Sequence, residues 1–422
     1  MADETQKSDS LKKIPASEIL SKIEKGEPVE YDNVTIKGDI DLMADLDQHQ
    51  LNMLKEQEGL EEIIQSKIVK LFIKITNSSI EGNLNFSNVI FEQNIYLSDV
   101  QLIGNAQFAG TQFNATAIFE RSEFAGHIDF NGSLFNQHAS FSRSQFNANA
   151  EFSGSQFNGP AEFFESRFLG NVDFGGSQFK DVVYFSESHF QKDVSFINSK
   201  FCYFAEFSES QFNGVSNFSK TEFDKVNFCE SIFNGNALFS GANVKNYIDF
   251  TRSAFNGDYL TFENTIFDEP WNQEYCCRKA KKLLEEKGDR EAAGYYFYQE
   301  MDAKRKQKPW YYRYPEFVFI QLIFGYGVHP FRLMAWWLSI ILVFGIFYLI
   351  GNGIDGAIQP FDYLKVSFAT ALAPGYIATI INPGNTGYRV TPEYQVVAMI
   401  ETIFGTFLWA AFIATFAKKY MR

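Results

Sequence analysis

The chain has 422 residues and a formal net charge of -14, and its 47 phenylalanines far outnumber its 5 tryptophans. This length is sufficient for two or three domains. An acidic chain lacks the Lys and Arg surplus that phosphate attraction needs, so we expect no nucleic-acid partner. An aromatic excess made of one residue type indicates sequence repetition.

The composition offers little chemistry. The sequence contains no evident nucleophile–base pair, phosphate loop or metal-ligand constellation, so we expect no enzyme activity, no cofactor and no metal site. The N-terminus, MADETQKSDSLKK, has no apolar core of the kind that a signal peptide needs. The cysteines form no CxxC pair, which predicts reduced thiols: Cys202, Cys229, Cys276 and Cys277.

Residues 1–66 are predicted to begin the fold. The segment 16–28, ASEILSKIEKGEP, has the pattern of a short amphipathic helix that ends at Gly26 and Pro28. Residues 29–42 resemble a first extended coil. Residues 44–66 have helical composition, and we expect them to interrupt or cap the structure that follows, because an exposed sheet edge needs protection.

A repeat dominates the middle of the chain. Phenylalanine recurs with a period of 11 from Phe113 to Phe223, and a second series with the same period runs from Phe108 to Phe218. Interleaved, they place a large residue alternately 5 and 6 positions apart, and one residue is dropped near Phe228. The intervening residues are small or polar.

This spacing fits neither an amphipathic helix, which repeats every 3 or 4 residues, nor an alternating strand. It fits a coil that turns a corner every few residues and points one bulky side chain inward on each face. Since one coil cannot bury its own core, stability must come from stacking successive coils.

The repeat resembles the Phe-rich branch of the pentapeptide-repeat family. The resemblance implies a right-handed quadrilateral β-helix over residues 67–268, with about 22 residues per coil and about nine coils from residue 78 onward. Such rods act as scaffolds and partner surfaces, so the resemblance allows a cytoplasmic protein partner on the β-helix.

Residues 269–312 are predicted as a helical hairpin linker. Apolar residues recur at helical spacing in 275–308, with a break at Lys287-Gly288-Asp289, where Asp289 is placed to cap the second helix. Two interpretations stay open: a polar linker, or an element that transmits motion to the segment after it. The basic residues of 304–308 mark the cytoplasmic side of a membrane.

Two segments are long and apolar enough to cross a membrane. Residues 333–350 carry no charge, and residues 395–417 carry one. We place an outer helix at 331–351 and an inner helix at 393–420. Since Lys and Arg flank both on the same side, the positive-inside rule predicts a multi-pass protein of the cell membrane with cytoplasmic N-terminal domains and C-terminus.

Between the spans lies a candidate pore loop, 361–378, in which a short helix precedes Pro374 and Gly375. Residues 275–422 resemble the two-transmembrane potassium-channel-like pore module, which implies an α-helical membrane pore domain at 313–422 with a re-entrant loop and a homotetramer. Carried over residue by residue, the resemblance places the pore-helix threonine and the filter at Thr370, Ala373, Pro374, Gly375, Tyr376 and Ile377.

The filter departs from the potassium signature. Gly375 and Tyr376 match it, but Ile377 replaces a glycine and Pro374 removes a backbone donor. We therefore expect a pore for monovalent cations that is weakly selective or non-selective.

Two residues of the inner helix have open roles. Gly405 is either a close-packing contact or a gating hinge. Glu401 is an ionisable group inside a span, which by default indicates function. It either attracts cations at the cavity or braces the pore helix through Thr370 or Ser367.

The tripeptide Gly325-Tyr326-Gly327 looks like part of a filter but precedes the first span. We interpret it as an elbow between an interfacial helix, 314–324, and the outer helix, with glycines that permit the bend. Arg332 is expected to hold the cytoplasmic face.

Two functions follow. The first is a tetrameric cation channel whose cytoplasmic β-helix domains gate or anchor the pore. The alternative is a membrane-anchored pentapeptide-repeat scaffold with a non-conducting channel-like anchor. Other acidic pentapeptide-repeat proteins mimic DNA to inhibit topoisomerases, a role in which a membrane anchor has no use.

Overall fold

A computed structural model describes residues 11–43, 67–372 and 387–420. The chain forms two compact units, Met1–Arg290 and Glu291–Arg422, and each is described by itself. The predicted helical segment 44–66 lies outside the described residues.

The first unit is a β-solenoid of about 11 turns. One turn carries four short strands in succession, for example Gln101–Leu102, Ala106–Gln107, Gln112–Phe113 and Ala117–Ile118. The next strand, Glu123–Phe124, pairs in parallel with the first of these, 22 residues earlier. The cross-section is therefore four-sided, as the resemblance of the repeat implies.

The strands stack into walls, which we name by their order within a turn. In the part of the chain that the structure describes, wall 1 has 11 strands: Lys12–Pro15, Val34–Lys37, Ser79–Ile80, Gln101–Leu102, Glu123–Phe124, Gln145–Phe146, Arg167–Phe168, His189–Phe190, Gln211–Phe212, Ile232–Phe233 and Ala254–Phe255. Wall 2 has 10 strands in the same part: Ile40–Asp41, Leu84–Asn85, Ala106–Gln107, Ile128–Asp129, Ala150–Glu151, Val172–Asp173, Val194–Ser195, Ser216–Asn217, Ala237–Leu238 and Leu260–Thr261.

Among the described residues, walls 3 and 4 form one sheet of 17 strands. Wall 3 consists of Lys67–Val69, Val89–Phe91, Gln112–Phe113, Leu134–Phe135, Gln156–Phe157 and Gln178–Phe179. Wall 4 consists of Val29–Asp32, Ile73–Thr76, Ile95–Ser98, Ala117–Ile118, Ala139–Ser140, Ala161–Glu162 and Val183–Tyr184. Toward the C-terminal end of the solenoid, three long strands each span both walls: Lys200–Glu206, Glu222–Asn227 and Asn243–Asp249. The last strand of the sheet, Ile266–Phe267, lies in wall 3.

The core is made of phenylalanine stacks. Phe163 lies nearly parallel to Phe141 and Phe185, with ring centroids 5.0 Å and 4.7 Å apart. It meets Phe152 and Phe174 edge to face at 5.5 Å and 5.3 Å. The stacking distance matches the spacing of paired strands, because each ring lies over the equivalent ring of the adjacent coil.

A ladder of buried hydroxyls runs beside these stacks and was not anticipated. Ser177 donates to the carbonyl of Phe152 at 2.6 Å, and Ser188 donates to that of Phe163 at 2.5 Å. The same bond recurs along the solenoid from Thr111 to Thr265. The sequence indicated only that the residues between the phenylalanines are small or polar, and the structure shows that these hydroxyls satisfy buried carbonyls.

The corners also follow the period. A left-handed residue recurs at every second corner, such as Gly154 with a φ of 67° and Glu165 with a φ of 53°. The conformation suits glycine, yet charged side chains hold it at many corners because the ladder on both sides fixes the backbone.

The dropped residue appears as a register shift. Phe201 pairs with Phe223, 22 residues later, whereas Ala205 pairs with Val226, 21 residues later. The next coil shifts back between Phe223 and Lys225. The irregularity is thus absorbed in the long strands that span walls 3 and 4.

Helices cover both ends of the solenoid. Helix α1, Ala16–Lys25, packs against the first turn through Ala16, Ile19 and Ile23. Its left-handed cap at Gly26 fits the predicted end of this helix.

Helix α2, Pro270–Lys287, lies on the last turn. Asn272 bonds to the backbone of Asn246 and Ile248, and the Tyr275 hydroxyl accepts from the amide of Phe250 at 3.1 Å. These bonds occupy the open edge of the sheet. Part of the predicted linker is therefore an end cap.

The second unit is helical. Its helices are α3, Arg290–Lys306; α4, Trp310–Pro315; α5, Pro330–Ile350; α6, Pro360–Leu372; and α7, Gln395–Tyr420. A π-helical stretch, Glu316–Ile323, and two short 3-10 turns, Gly325–Gly327 and Pro392–Tyr394, complete it. The strands Ile354–Asp355 and Arg389–Val390 pair antiparallel.

Candidate functional site

Two helices of the second unit, α5 and the segment Pro392–Tyr420, are long and apolar enough to cross a membrane. Their large exposed side chains are almost all apolar, which suits lipid or a neighbouring subunit. On α5 these are Phe331, Met334, Trp336, Leu338, Leu342, Val343, Ile346, Phe347, Leu349 and Ile350. On α7 they are Val396, Met399, Ile400, Ile403, Phe404, Phe407, Ile413 and Tyr420.

The short helix α6 packs against both long helices. A side chain added at Gly345 of α5 would lie 2.6 Å from Leu364 of α6. One added at Gly405 of α7 would lie 2.6 Å from the Cα atom of Ala371. At Gly345 the neighbour is the end of a flexible side chain, whereas at Gly405 it is backbone, so glycine permits the close approach of α7 to the end of α6.

A buried polar cluster joins the three helices. The carboxylate of Glu401 on α7 is fully buried and accepts a hydrogen bond from the Tyr348 hydroxyl on α5 at 2.7 Å. Its other oxygen bonds to the hydroxyl of Ser367 on α6, which also lies 2.8 Å from the carbonyl of Ile341. In apolar surroundings these bonds tie the helices together because none of the groups has water as an alternative.

The sequence offered two partners, Thr370 and Ser367, for a bracing role of Glu401, and the structure shows a contact with one of them. Ser367 contacts the carboxylate, whereas the Thr370 hydroxyl donates to the carbonyl of Val366 in its own helix at 2.8 Å. The sequence gives no signal for the role of Tyr348, because a tyrosine in an apolar helix resembles an interfacial residue. The spacing of Tyr348 and Glu401, 53 positions apart, gives no local signal.

Replacing Tyr348 by phenylalanine should lower the stability of the helical unit by roughly 1 kcal/mol, because the buried carboxylate loses a donor. Thermal unfolding of the full chain in micelles measures this. Tyr312→Phe, at an exposed hydroxyl on α4, is the control. Equal unfolding temperatures for Tyr348→Phe and the unmodified chain would contradict the assignment.

The predicted filter residues Ala373, Pro374, Gly375, Tyr376 and Ile377 lie outside the described residues. The described chain stops at the end of α6 and resumes at 387. Thr370 is buried two residues before the end of α6.

The start of α6 is capped by Asp362. Its carboxylate accepts from the backbone amides of Gln359 at 3.0 Å and Ile358 at 3.2 Å. The Tyr388 hydroxyl also donates to it at 3.0 Å. These backbone bonds, together with a bond from Lys365, lower the pKa of Asp362.

The predicted elbow is a tight left-handed turn. Gly325, Tyr326 and Gly327 have φ values of 53°, 52° and 77°. A side chain at Gly325 would lie 3.2 Å from the ring of His329. Burial raises the pKa of Tyr326 to about 12.

Helix α3 packs on this elbow through Tyr298. The Tyr298 ring lies 5.6 Å from the Tyr326 ring and 5.4 Å from the His329 ring. The guanidinium of Arg332, at the start of α5, lies 5.7 Å from the Tyr298 centroid. Burial, Arg332 and Lys419 together lower the pKa of His329.

A polar link from Gln321 reinforces this packing. Its amide donates to the Tyr298 hydroxyl at 3.1 Å and to Asp302 at 2.9 Å. Burial alone would raise the pKa of Asp302, but hydrogen bonds from Lys306 and Arg305 outweigh it and lower the pKa. The basic residues of α3 are therefore engaged within the unit, so they are not all available to a membrane surface.

Comparison with known proteins identifies the repeat. Residues 97–145, 141–189 and 174–222 match the family model described as pentapeptide repeats (9 copies). No curated protein matches the chain, and no solved structure does.

Proposed function

We propose that four copies of the chain form a cation channel of the two-transmembrane pore-loop type, gated or anchored by cytoplasmic solenoids. The solenoid contains pentapeptide repeats and is joined to a helical unit with two possible membrane helices. The observation that carries this proposal is α6, a short helix packed between two apolar helices and ending where the candidate filter begins.

The polarity of α6 suits this role. Its C-terminal end, at Leu372, directly precedes the filter stretch. The carbonyl end of a helix carries partial negative charge, which favours a cation beside it. The degenerate filter around Pro374 and Ile377 supports weak selectivity or none.

The bracing cluster supports a fixed pore helix. Ser367 lies in the middle of α6 and is held by Glu401, which is held in turn by Tyr348. A short helix that does not cross the membrane needs such attachment, because its own hydrogen bonds cannot position it.

The contacts of α3 support coupling to the solenoid. The chain runs from the end cap α2 through Gly288 into α3, and α3 packs on the elbow that begins α5. A displacement of α3 would therefore act on α5 through Tyr298 and Gln321. The proposed orientation places the solenoid and the C-terminus in the cytoplasm.

Ion flux tests the proposal directly. The purified full chain is reconstituted into liposomes, and potassium and sodium currents are recorded under bi-ionic gradients. We expect cation flux with little preference between the two ions. A strong potassium preference would contradict the reading of the filter. An absence of flux from verified tetramers would favour the membrane-anchored scaffold.

Glu401→Gln separates the two roles of this residue. Glutamine retains an oxygen that accepts from Tyr348 or Ser367 but removes any charge, so a bracing role predicts unchanged conductance. A cavity role predicts lower conductance. Single-channel recording of the variant and the unmodified chain, with an assay for folded protein, distinguishes these outcomes.

A further inference from the structure

Three potential metal ligands meet on wall 2 of the solenoid. Each of these residues offers one ligand atom, and the three atoms lie within 4.8 Å of one another: His127, Asp129 and Glu151. Asp129 and Glu151 are opposite each other on paired strands. The Nε2 atom of His127 is 3.7 Å from the Oε1 atom of Glu151.

Asn131 orients both carboxylates. Its backbone amide donates to Oδ1 of Asp129 at 2.8 Å, and its side-chain amide donates to Oε2 of Glu151 at 2.7 Å. Each carboxylate therefore keeps its other oxygen for a ligand, and that of Glu151 already lies beside the imidazole. Outer hydrogen bonds of this kind hold metal ligands in place.

The charge balance also favours a cation. Like charges opposite each other on paired strands repel, and Asp173 follows Glu151 at the same position of the next coil. The imidazole of His127 contacts Glu151. A divalent ion bound by both carboxylates would remove their repulsion.

We propose that His127, Asp129 and Glu151 form a site for a divalent transition-metal ion, with Zn²⁺ as the reference ligand. One imidazole nitrogen and two carboxylate oxygens are a donor set that Zn²⁺ accepts. His127 and Glu151 are 37% and 39% exposed, which leaves room for small rotamer changes and for water at the remaining positions. The ion links two successive coils, and this proposal does not depend on channel activity.

The solenoid contains a matched control. His138 and Glu162 have the same sequence separation, and their Nε2 and Oε1 atoms are 3.2 Å apart. The position equivalent to Asp129 is Ser140, which supplies no carboxylate. This second pair shares the histidine and glutamate of the proposed site but lacks its third ligand.

Calorimetric titration of ZnCl₂ into the full chain in detergent micelles tests the site. We expect saturable binding that is weakened at least about tenfold by His127→Ala and by Asp129→Asn, and about 10- to 100-fold by Asn131→Ala. His138→Ala should leave the isotherm unchanged. The cysteines are present in all variants, so differences between isotherms report the proposed site.

Thermal unfolding provides the second measurement. Zn²⁺ should raise the unfolding temperature of the unmodified chain and of His138→Ala, because it binds the folded state. It should raise that of His127→Ala less. The proposal is overturned if folded His127→Ala binds Zn²⁺ like the unmodified chain, or if His138→Ala weakens binding equally.

Discussion

Replacing Phe163 by alanine is expected to lower the free energy of unfolding of the solenoid by about 3–5 kcal/mol. The side chain is fully buried, and its ring contacts phenylalanines on the two adjacent coils as well as on neighbouring walls. Its loss leaves a cavity that the rigid ladder cannot close, because the strands on both sides hold their spacing.

The adjacent residue gives the control. Phe164 follows Phe163 in the chain but is only partly buried, and its ring faces the guanidinium of Arg143 at 5.8 Å. Phe164→Ala should cost about 0.5–1 kcal/mol, since little more than a cation–π contact is lost. Chemical unfolding of the full chain, followed by the β-sheet circular dichroism signal, compares them. Similar losses would mean that inward and outward positions had been misassigned.

Gly405→Val is expected to lower the free energy of unfolding of the helical unit by about 3 kcal/mol. It is also expected to abolish any ion flux. The new side chain would lie 2.6 Å from the Cα atom and 2.7 Å from the carbonyl oxygen of Ala371. These are backbone atoms, so α6 and α7 must separate, and the carboxylate of Glu401 moves away from Ser367.

Ala410→Val is the matched control, since Ala410 lies on an exposed part of the same helix. Thermal unfolding in micelles and liposome flux are measured for both variants. If Gly405→Val is as stable as Ala410→Val and loses only flux, Gly405 is a hinge rather than a packing contact. If both variants conduct normally, the close approach to Ala371 does not exist in the assembled protein.

The spacing of phenylalanine determined the solenoid without help from tertiary contacts. A large residue every five or six positions fits a stack of coils that turn a corner every few residues, and the four-sided cross-section was implied by the resemblance to pentapeptide repeats. The residue dropped near Phe228 corresponds to the register shifts between the strands of that region. The apolar segments after residue 330 predicted the two long helices for the same reason: composition and length suffice.

The contacts that position the candidate site were decided by the tertiary structure. Tyr348, Ser367 and Glu401 come from three helices, and nothing local in the sequence pairs them. The sequence did not reveal that α2 caps the solenoid, because a polar helix has the same residue pattern whether it connects two domains or covers the end of a sheet. The hydroxyl ladder was hidden because serine suits both a bend and a buried bond.

The burial pattern of the repeats can therefore be recognised in a single sequence, since every repeat places a large apolar residue at an inward position. Hydrogen bonds between distant residues such as Tyr348 and Glu401 occur once, and only the packed helices bring the partners together. On wall 2, the repeat places Asp129 and Glu151 at equivalent positions of successive coils. That the side chain of His127 lies close to both carboxylates is seen only in the folded structure.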